Sequence, residues 1–307
     1  MQEKIKFIKT EIAKAVVGQD EMVDGLLIGL SCEGHILVEG VPGLAKTTTV
    51  KALSSAMELD FHRVQFTPDL LPSDIIGAEI YDPKNSEFKI KKGPIFTQLL
   101  LADEINRSPS KVQSALLEAM QERQVTIGSE SFDLPSPFMV MATQNPLEQE
   151  GVYHLPEAQL DRFMMKLRVE HNSEEDELEI MRRIATKSSE LVLAVCSASE
   201  LEVIAKEMNA LHIDAELEKF IVSLVRATRE ENSQLKHGVS PRASIDLYKT
   251  AKAHAYLKGK SFVTPVDILA MIYPVFRHRI GLSYEARAKG MSADEVLKSI
   301  IERVDIP

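Results

Sequence analysis

The residues best suited to chemistry begin with the glycine-rich stretch Gly40–Thr47, GVPGLAKT. Its spacing follows the phosphate-binding pattern G-x-x-x-x-G-K-[ST], except that Ala45 stands at the second glycine position. In such a loop the backbone N–H groups surround the phosphates, the lysine contacts the β and γ phosphates and the hydroxyl binds Mg²⁺. We therefore predict an ATP or ADP site with Lys46 as a catalytic residue and Thr47 as a metal ligand, formed by Gly40, Val41, Pro42, Gly43, Leu44, Ala45, Lys46, Thr47 and Thr48.

Ala45 decides whether this loop still works. The residue before the lysine enters the following helix, and with a negative φ alanine is a better helix former than glycine. A positive φ would strain it by about 1–2 kcal/mol. We predict a negative φ at Ala45 and a working loop.

The next candidate is LLLADE, an apolar run that ends in Asp103 and Glu104. An apolar run ending in two acids is weak evidence alone, but this one follows the loop at a normal spacing. A carboxylate at the end of a buried strand beside the loop can hold Mg²⁺, and its neighbour can activate the attacking water. We predict Asp103 as a metal ligand and Glu104 as the general base.

Three more polar residues follow in order. Asn145 in MATQNP ends another apolar run and could position the water, although N-P alone favours a turn. Arg162 in LPEAQLDRF and Arg242 in VSPRAS are of the type that stabilises the charge of phosphoryl transfer, in cis or in trans. Lone arginines usually form surface ion pairs of small worth, so only the order of these motifs favours a catalytic role.

The elements that would position these residues alternate between strands and helices. Continuous apolar runs suit strands buried on both faces of a parallel sheet. We predict five: 36–38, 62–66, 99–102, 138–142 and 163–169. Two further segments, 77–96 and 123–135, are predicted to be β-hairpins that stand out from the sheet.

From about residue 171 the chain becomes helical, with predicted capping serines at Ser173, Ser199, Ser240 and Ser292. We predict an α/β nucleotide-binding core over 1–170, its boundary extending to about 190, with helices on both faces of the sheet. A small all-helical lid domain follows over 171–307.

Together the motifs GVPGLAKT, LLADEINR, ATQNP, LPEAQLDRF and SPRA resemble those of AAA+ ATPases of the MoxR family, a helix-2-insert clade, over nearly the whole chain. The resemblance implies that Asn145 is sensor 1, Arg162 is an arginine finger acting on a neighbouring subunit, and Arg242 is sensor 2. It also implies that Val17 and Gly18 line the adenine. The form GLAKT is itself familiar in this family.

The resemblance further implies a homo-oligomeric ring, usually a hexamer. Such ATPases resemble chaperones that assemble or activate protein complexes, often through metal-cofactor insertion. They commonly work with a partner that carries a von Willebrand factor A domain. A trans-acting arginine independently requires a neighbouring surface, and head-to-tail interfaces close into rings.

Three alternatives stay open: a chelatase-like motor subunit, a nucleic-acid-directed motor and a non-hydrolysing nucleotide switch. Lys84, Lys89, Lys91 and Lys92 form a small basic cluster, but the net charge of −10 argues against nucleic acid. Two distant cysteines give neither a disulfide framework nor zinc spacing. The N-terminus lacks the apolar centre of a signal peptide and no apolar run is long enough to span a bilayer, so we expect a cytoplasmic protein.

Overall fold

The computed structural model describes residues 1–146, 152–186, 190–230 and 233–307. Its strands are β1 (Ile36–Glu39), β2 (Phe61–Gln65), β3 (Gly77–Asp82), β4 (Glu87–Lys92), β5 (Leu99–Asp103), β6 (Gln124–Ile127), β7 (Glu130–Asp133), β8 (Met139–Gln144), β9 (Met165–Arg168), β10 (Leu235–His237) and β11 (Gly281–Leu282). Its helices are α1 (Gln2–Ala15), α2 (Asp20–Ser31), α3 (Lys46–Ala56), α4 (Pro72–Ile76), α5 (Ser110–Glu122), α6 (Glu157–Leu160), α7 (Glu174–Ala185), α8 (Ala198–Asn209), α9 (Ala215–Ala227), α10 (Pro241–Leu257), α11 (Pro265–Phe276), α12 (Tyr284–Ala288) and α13 (Ala293–Ile301).

The predicted α/β fold is confirmed. Five strands form one sheet in the order β2-β5-β8-β1-β9, and every neighbouring pair is parallel. The three central strands are almost entirely buried, which explains why their sequences are continuous apolar runs rather than alternating ones. Each of the five predicted strands is present within a few residues of its predicted bounds.

The strand register brings the chemically interesting residues to one edge of the sheet. Gln65 lies opposite Asp103, and Glu39 lies opposite Gln144. Because the strands are parallel, the loops that follow β1, β5 and β8 leave the sheet on the same side. Ligands of open α/β sheets bind at this carboxyl edge.

Both predicted hairpins are present, as β3-β4 and β6-β7. The ammonium of Lys92 joins them, because it lies 4.6 Å from the ring centre of Phe96 and 4.8 Å from that of Phe132 in β7. Tyr81 and Phe88 pair across the first hairpin with ring centres 5.2 Å apart, and both are at least half exposed.

The chain beyond β9 is helical in its described part, apart from the short antiparallel pair β10-β11. The capping box predicted at Ser292 is confirmed, since Ser292 and Glu295 exchange side-chain and backbone hydrogen bonds. The cap predicted at Ser199 is wrong, because Ser197 caps α8 with Glu200. The backbone N–H groups of Val195 and Cys196 both donate to the Ala56 carbonyl and fix the chain just before Ser197, so the helix begins two residues earlier than predicted.

One buried apolar cluster runs through the sheet face covered by α1, α2 and α3 and continues into the helical region through α8 to α11. A second cluster fills the opposite face of the sheet, around α5. Within the described ranges, no helix is long and apolar enough to cross a membrane.

Candidate functional site

The glycine-rich loop connects β1 to the first turn of α3, the context in which this motif binds phosphate. The predicted negative φ at Ala45 is wrong: its φ is +54°, in the left-handed region, and Gly43 has a φ of +89°. Positive φ values in such a loop turn successive N–H groups into a concave anion-binding arrangement. The loop therefore keeps the glycine-type backbone at a non-glycine residue, with a strain of about 1–2 kcal/mol.

Lys46 folds over this loop. Its ammonium donates hydrogen bonds to the carbonyl oxygens of Gly40 and of Val41, the latter at 3.2 Å. Burial lowers the pKa of Lys46 from its ordinary value, while the negative charges of Asp103 and Glu104 act in the opposite direction. The amine therefore lies in a half-desolvated position beside the two acids, where a phosphate would supply further negative charge.

Asp103 is held from two sides at the end of β5. The hydroxyl of Thr143 donates to one carboxylate oxygen at 2.6 Å. The guanidinium of Arg63 donates to the other oxygen at 2.7 and 3.0 Å. Thr143 also accepts a hydrogen bond from the backbone N–H of Glu104 at 2.8 Å, so one hydroxyl orients both acidic residues.

Glu104 leaves the sheet with a left-handed backbone, at a φ of +57°. Its carboxylate accepts a hydrogen bond from the side-chain amide of Gln65 at 2.6 Å and lies 3.2 Å from Nε of Arg107. Such backbone geometry in a non-glycine residue persists where the surrounding structure determines it, often at active sites. Asn145, which follows β8, is buried beside these residues.

The loop, both acids and Asn145 enclose one cleft of about 400 Å³. Its donor set fits Mg²⁺, because a carboxylate and hydroxyl oxygens are the ligands this hard cation prefers. The cleft is lined by Pro42, Gly43, Leu44, Ala45, Lys46, Thr47, Thr48, Arg63, Gln65, Asp103, Glu104, Thr143, Gln144 and Asn145.

The two predicted catalytic arginines lie elsewhere. Arg162 and Arg242 line a second cleft of about 310 Å³ and are absent from the lining of the first. Arg242 approaches Asp161, with its Nη1 3.6 Å from a carboxylate oxygen. The side chain of Arg162 is half-buried and has no hydrogen bond or ion pair with any other residue in the described ranges.

The comparisons with known proteins agree with this geometry. Residues 35–165 match the ATPase family associated with various cellular activities (AAA), and residues 226–300 match the AAA lid domain. Chaperone MoxR1 from Mycobacterium tuberculosis is 44% identical to this chain over 97% of the chain and 81% of its own length. The chain belongs to the MoxR family of AAA+ ATPases.

Two further relatives support this assignment. The protein YeaC from Bacillus subtilis is 42% identical to this MoxR-family chain over 96% of the chain and 92% of its own length. A crystal structure of a Cytophaga hutchinsonii protein superposes with a TM-score of 0.93 at 50% identity, covering 100% of this chain and 96% of the other. AAA+ ATPases of this family bind nucleotide, typically with Mg²⁺, and their characteristic activity is ATP hydrolysis.

The residues assigned to the adenine by resemblance to the MoxR family lie between α1 and α2. The Val17 carbonyl accepts a hydrogen bond from Asn172 at 3.3 Å. Gly18 has a φ of +72°, and a side chain there would meet the carboxylate of Asp176. Neither residue is among those that line the first cleft, so their role stays a prediction.

Sequence reasoning missed four polar residues of the first cleft: Arg63, Gln65, Thr143 and Gln144. Arg63 and Gln65 are two residues apart in β2, so their side chains lie on the same face of the sheet. The period-2 pattern of a strand could have predicted this pairing. Thr143 is a polar residue within the buried run of β8, and such a residue usually has a hydrogen-bond partner that explains it.

Proposed function

We propose that this chain hydrolyses ATP in the first cleft and uses the energy as a chaperone-like motor. The loop N–H groups and Lys46 bind and neutralise the phosphates, and Glu104 takes the proton of the attacking water. Asn145 orients that water. Thr47 and Asp103 hold Mg²⁺, which supplies positive charge to the transferring phosphoryl group.

The positions of Arg162 and Arg242 support the proposal that hydrolysis requires a neighbouring subunit. Arg162 and Arg242 share the second cleft with the basic residues Arg123 and Lys249. Arg123 already has hydrogen-bond partners within its own subunit, because its guanidinium donates to the carbonyls of Phe138 and Glu33. Arg162 has no such partner in the described part of the chain, which fits a group that meets the nucleotide of an adjacent subunit.

This assignment implies a head-to-tail assembly in which the first cleft of one subunit faces the second cleft of the next. Heterologous interfaces of this kind close into rings, and we propose a homo-hexamer. Hydrolysis would then change the angle between the core, 1–170, and the lid, 171–307. The two hairpins, joined through Lys92, would carry that movement to a protein client.

We propose that in the cell the ring assembles or activates a protein complex, including through metal-cofactor insertion. A partner with a von Willebrand factor A domain would deliver the client, and both would act in the cytoplasm. The support is the 44% identity to a protein named Chaperone MoxR1. Nucleic acid fits less well, because Lys89 in the basic cluster is neutralised by Asp82 at 2.6 Å and Lys92 lies over two rings.

The test is steady-state ATP hydrolysis with Mg²⁺ across a range of protein concentrations. We expect the specific activity of the wild type to rise with concentration, and Glu104→Gln and Arg162→Ala each to be nearly inactive alone. Mixing the two variants should restore activity. In a mixed ring, the intact cleft of an Arg162→Ala subunit meets the intact arginine of a Glu104→Gln neighbour.

Two results would contradict the proposal. Wild type and Glu104→Gln that bind ATP yet hydrolyse it equally poorly at every concentration would favour a nucleotide switch. Full activity of Arg162→Ala would exclude the arginine from catalysis.

A further inference from the structure

The segment that carries Arg162 is tied to the helical region by a buried guanidinium. Arg279 follows α11, and its side chain is 1% exposed. Its Nη2 donates hydrogen bonds to the carbonyl oxygens of Phe163 at 2.8 Å and Asp161 at 3.2 Å, the two neighbours of Arg162. Its Nε lies 3.0 Å from the Asp161 carboxylate.

The same guanidinium contacts the helix that carries Arg242. Its Nη2 donates to the carboxylate of Asp246, one turn further along α10 from Arg242, at 2.5 Å. The carboxylate of Asp161 accepts hydrogen bonds from the hydroxyl of Ser240, the N-cap of α10. The Ser240 oxygen lies 3.0 Å from each of the two carboxylate oxygens. Asp161 and Arg279 therefore connect the chain around Arg162 with the first turns of α10.

We infer that Asp161 and Arg279 are positioning residues that fix Arg162 and Arg242 relative to each other, so that both meet the same neighbouring nucleotide. This inference rests on the proposed trans action of Arg162. The side chain of Arg162 has no partner in the described ranges, so its direction depends on the backbone that Arg279 holds.

The contacts of Asp161 and Arg279 are better explained by a positioning role than by a contribution to the stability of the fold. Buried ion pairs contribute little net stability compared with apolar packing, but their members are costly to separate and so hold one geometry. Because the network joins the core to the lid, a movement of the lid would move Arg162 together with Arg242. Formation of the ring interface would then be coupled to the positions of Arg162 and Arg242.

The decisive variant is Asp161→Asn, which removes one charge at a partly exposed position. Its matched control is Asp294→Asn. Asp294 also joins core to lid, through Arg168 at 3.0 Å and Arg277 at 3.1 Å, and its side chain is 26% exposed against 25% for Asp161. The two substitutions should therefore cost similar stability, measured as the midpoint of thermal unfolding.

We expect Asp161→Asn to lower kcat for ATP about 10- to 100-fold, the loss typical of a misplaced catalytic group, with KM changed less than about threefold. Asp294→Asn should keep the wild-type kcat. Mixing Asp161→Asn with Glu104→Gln should restore activity, as for Arg162→Ala, because the cleft of the Asp161→Asn subunit is intact. Arg279→Lys, which keeps the charge without the planar fork, should retain more kcat than Arg279→Gln.

The inference is overturned if Asp161→Asn keeps the wild-type kcat while Arg162→Ala loses it, or if the losses in Asp161→Asn and Asp294→Asn are equal. It is also overturned if Asp161→Asn is inactive and mixing with Glu104→Gln restores nothing while the Arg162→Ala mixture recovers. Failure of the proposed function gives a different result, since either Arg162→Ala would then be as active as the wild type, or Glu104→Gln would be.

Discussion

At the scale of single residues, Thr143 orients both acidic residues of the first cleft. Its hydroxyl donates to Asp103 and accepts from the Glu104 backbone, while the side chain itself is 1% exposed. Thr143→Val keeps the shape and removes both hydrogen bonds. We expect kcat for ATP to fall about 10- to 100-fold, the usual cost of losing a group that orients a metal ligand.

Thr228→Val is the control for that experiment. Thr228 is equally buried, and its hydroxyl likewise donates one hydrogen bond and accepts one: it donates to the Val225 carbonyl and accepts from the Val239 N–H. It lies outside the lining of both clefts. It should lose comparable stability and keep its kcat, and an equal fall in kcat for both variants would contradict a specific role for Thr143.

The left-handed backbone of Ala45 gives a second prediction. Ala45→Gly should raise the free energy of unfolding by about 1 kcal/mol, because glycine adopts a positive φ without strain from Cβ. Denaturant unfolding measures the change, and ATP hydrolysis should persist. Glu58→Gly, at a φ of +48° outside the first cleft, should stabilise similarly. A loss of stability in Ala45→Gly alone would show that the methyl group packs favourably in the loop.

The sequence-based prediction of a negative φ at Ala45 failed because it considered the residue alone. Helix propensity correctly favours alanine over glycine at the start of a helix, but it describes only local preference. The loop must turn its N–H groups toward one point, and this requirement overrides propensity. By contrast, the positions of Lys46, Asp103, Glu104 and Asn145 could be predicted, since strand ends in a parallel sheet share one edge.

At the scale of elements, Lys92 is the link between the two hairpins. Its ammonium lies over Phe96 and Phe132, and exposed contacts of this kind contribute about 0.5–1 kcal/mol each. Lys92→Gln should therefore let the β6-β7 hairpin open more readily. We expect amide hydrogen exchange over residues 124–133 to accelerate about fivefold, with the central sheet unchanged.

The neighbouring Lys91→Gln is the control for the hairpin link. Successive side chains of a strand point to opposite faces, so Lys91 lies on the other side of β4. It should leave exchange in β6-β7 unaltered. Equal acceleration in both variants would mean that charge, rather than contact with the rings, protects this hairpin.

Element types and order were predictable because each buried strand and each capped helix has a local signature. The start of α8 was not, since Ser197 and Ser199 each precede a glutamate by three residues. The hydrogen bonds of the Val195 and Cys196 N–H groups to the Ala56 carbonyl determine that Ser197 is the N-cap. The grouping of Arg162 with Arg242 likewise depends on the packing of α10 and on the burial of Arg279, which no local pattern indicates.

At the scale of the whole molecule, a buried histidine couples stability to pH. Burial and the cation of Arg123 lower the pKa of His35 to about 3. Its ring is neutral, with Nδ1 accepting from the Val140 N–H and Nε2 bonded to the Met120 carbonyl. His278 is similar, because burial lowers its pKa well below the ordinary value and its Nε2 bonds to the Phe163 carbonyl.

The sign of the pH effect follows from proton counting. Between pH 6.5 and about 3 the unfolded chain protonates His35 and the folded chain does not, so the unfolded state binds more protons. The free energy of unfolding must therefore fall as the pH falls through this window. The slope per histidine approaches about 1.4 kcal/mol per pH unit well below pH 6.5.

His35→Gln tests this coupling, because an amide can donate and accept as the neutral ring does but does not titrate. Urea unfolding at pH 7.5, 6 and 5 should give a less stable protein at pH 7.5 but a shallower loss of stability toward pH 5 than in the wild type. The same substitution at the exposed His62 controls for loss of a histidine as such. A wild-type slope in His35→Gln would mean that the acid sensitivity of the fold arises elsewhere, with His278 at the contact between lid and Arg162 segment as the next site to replace.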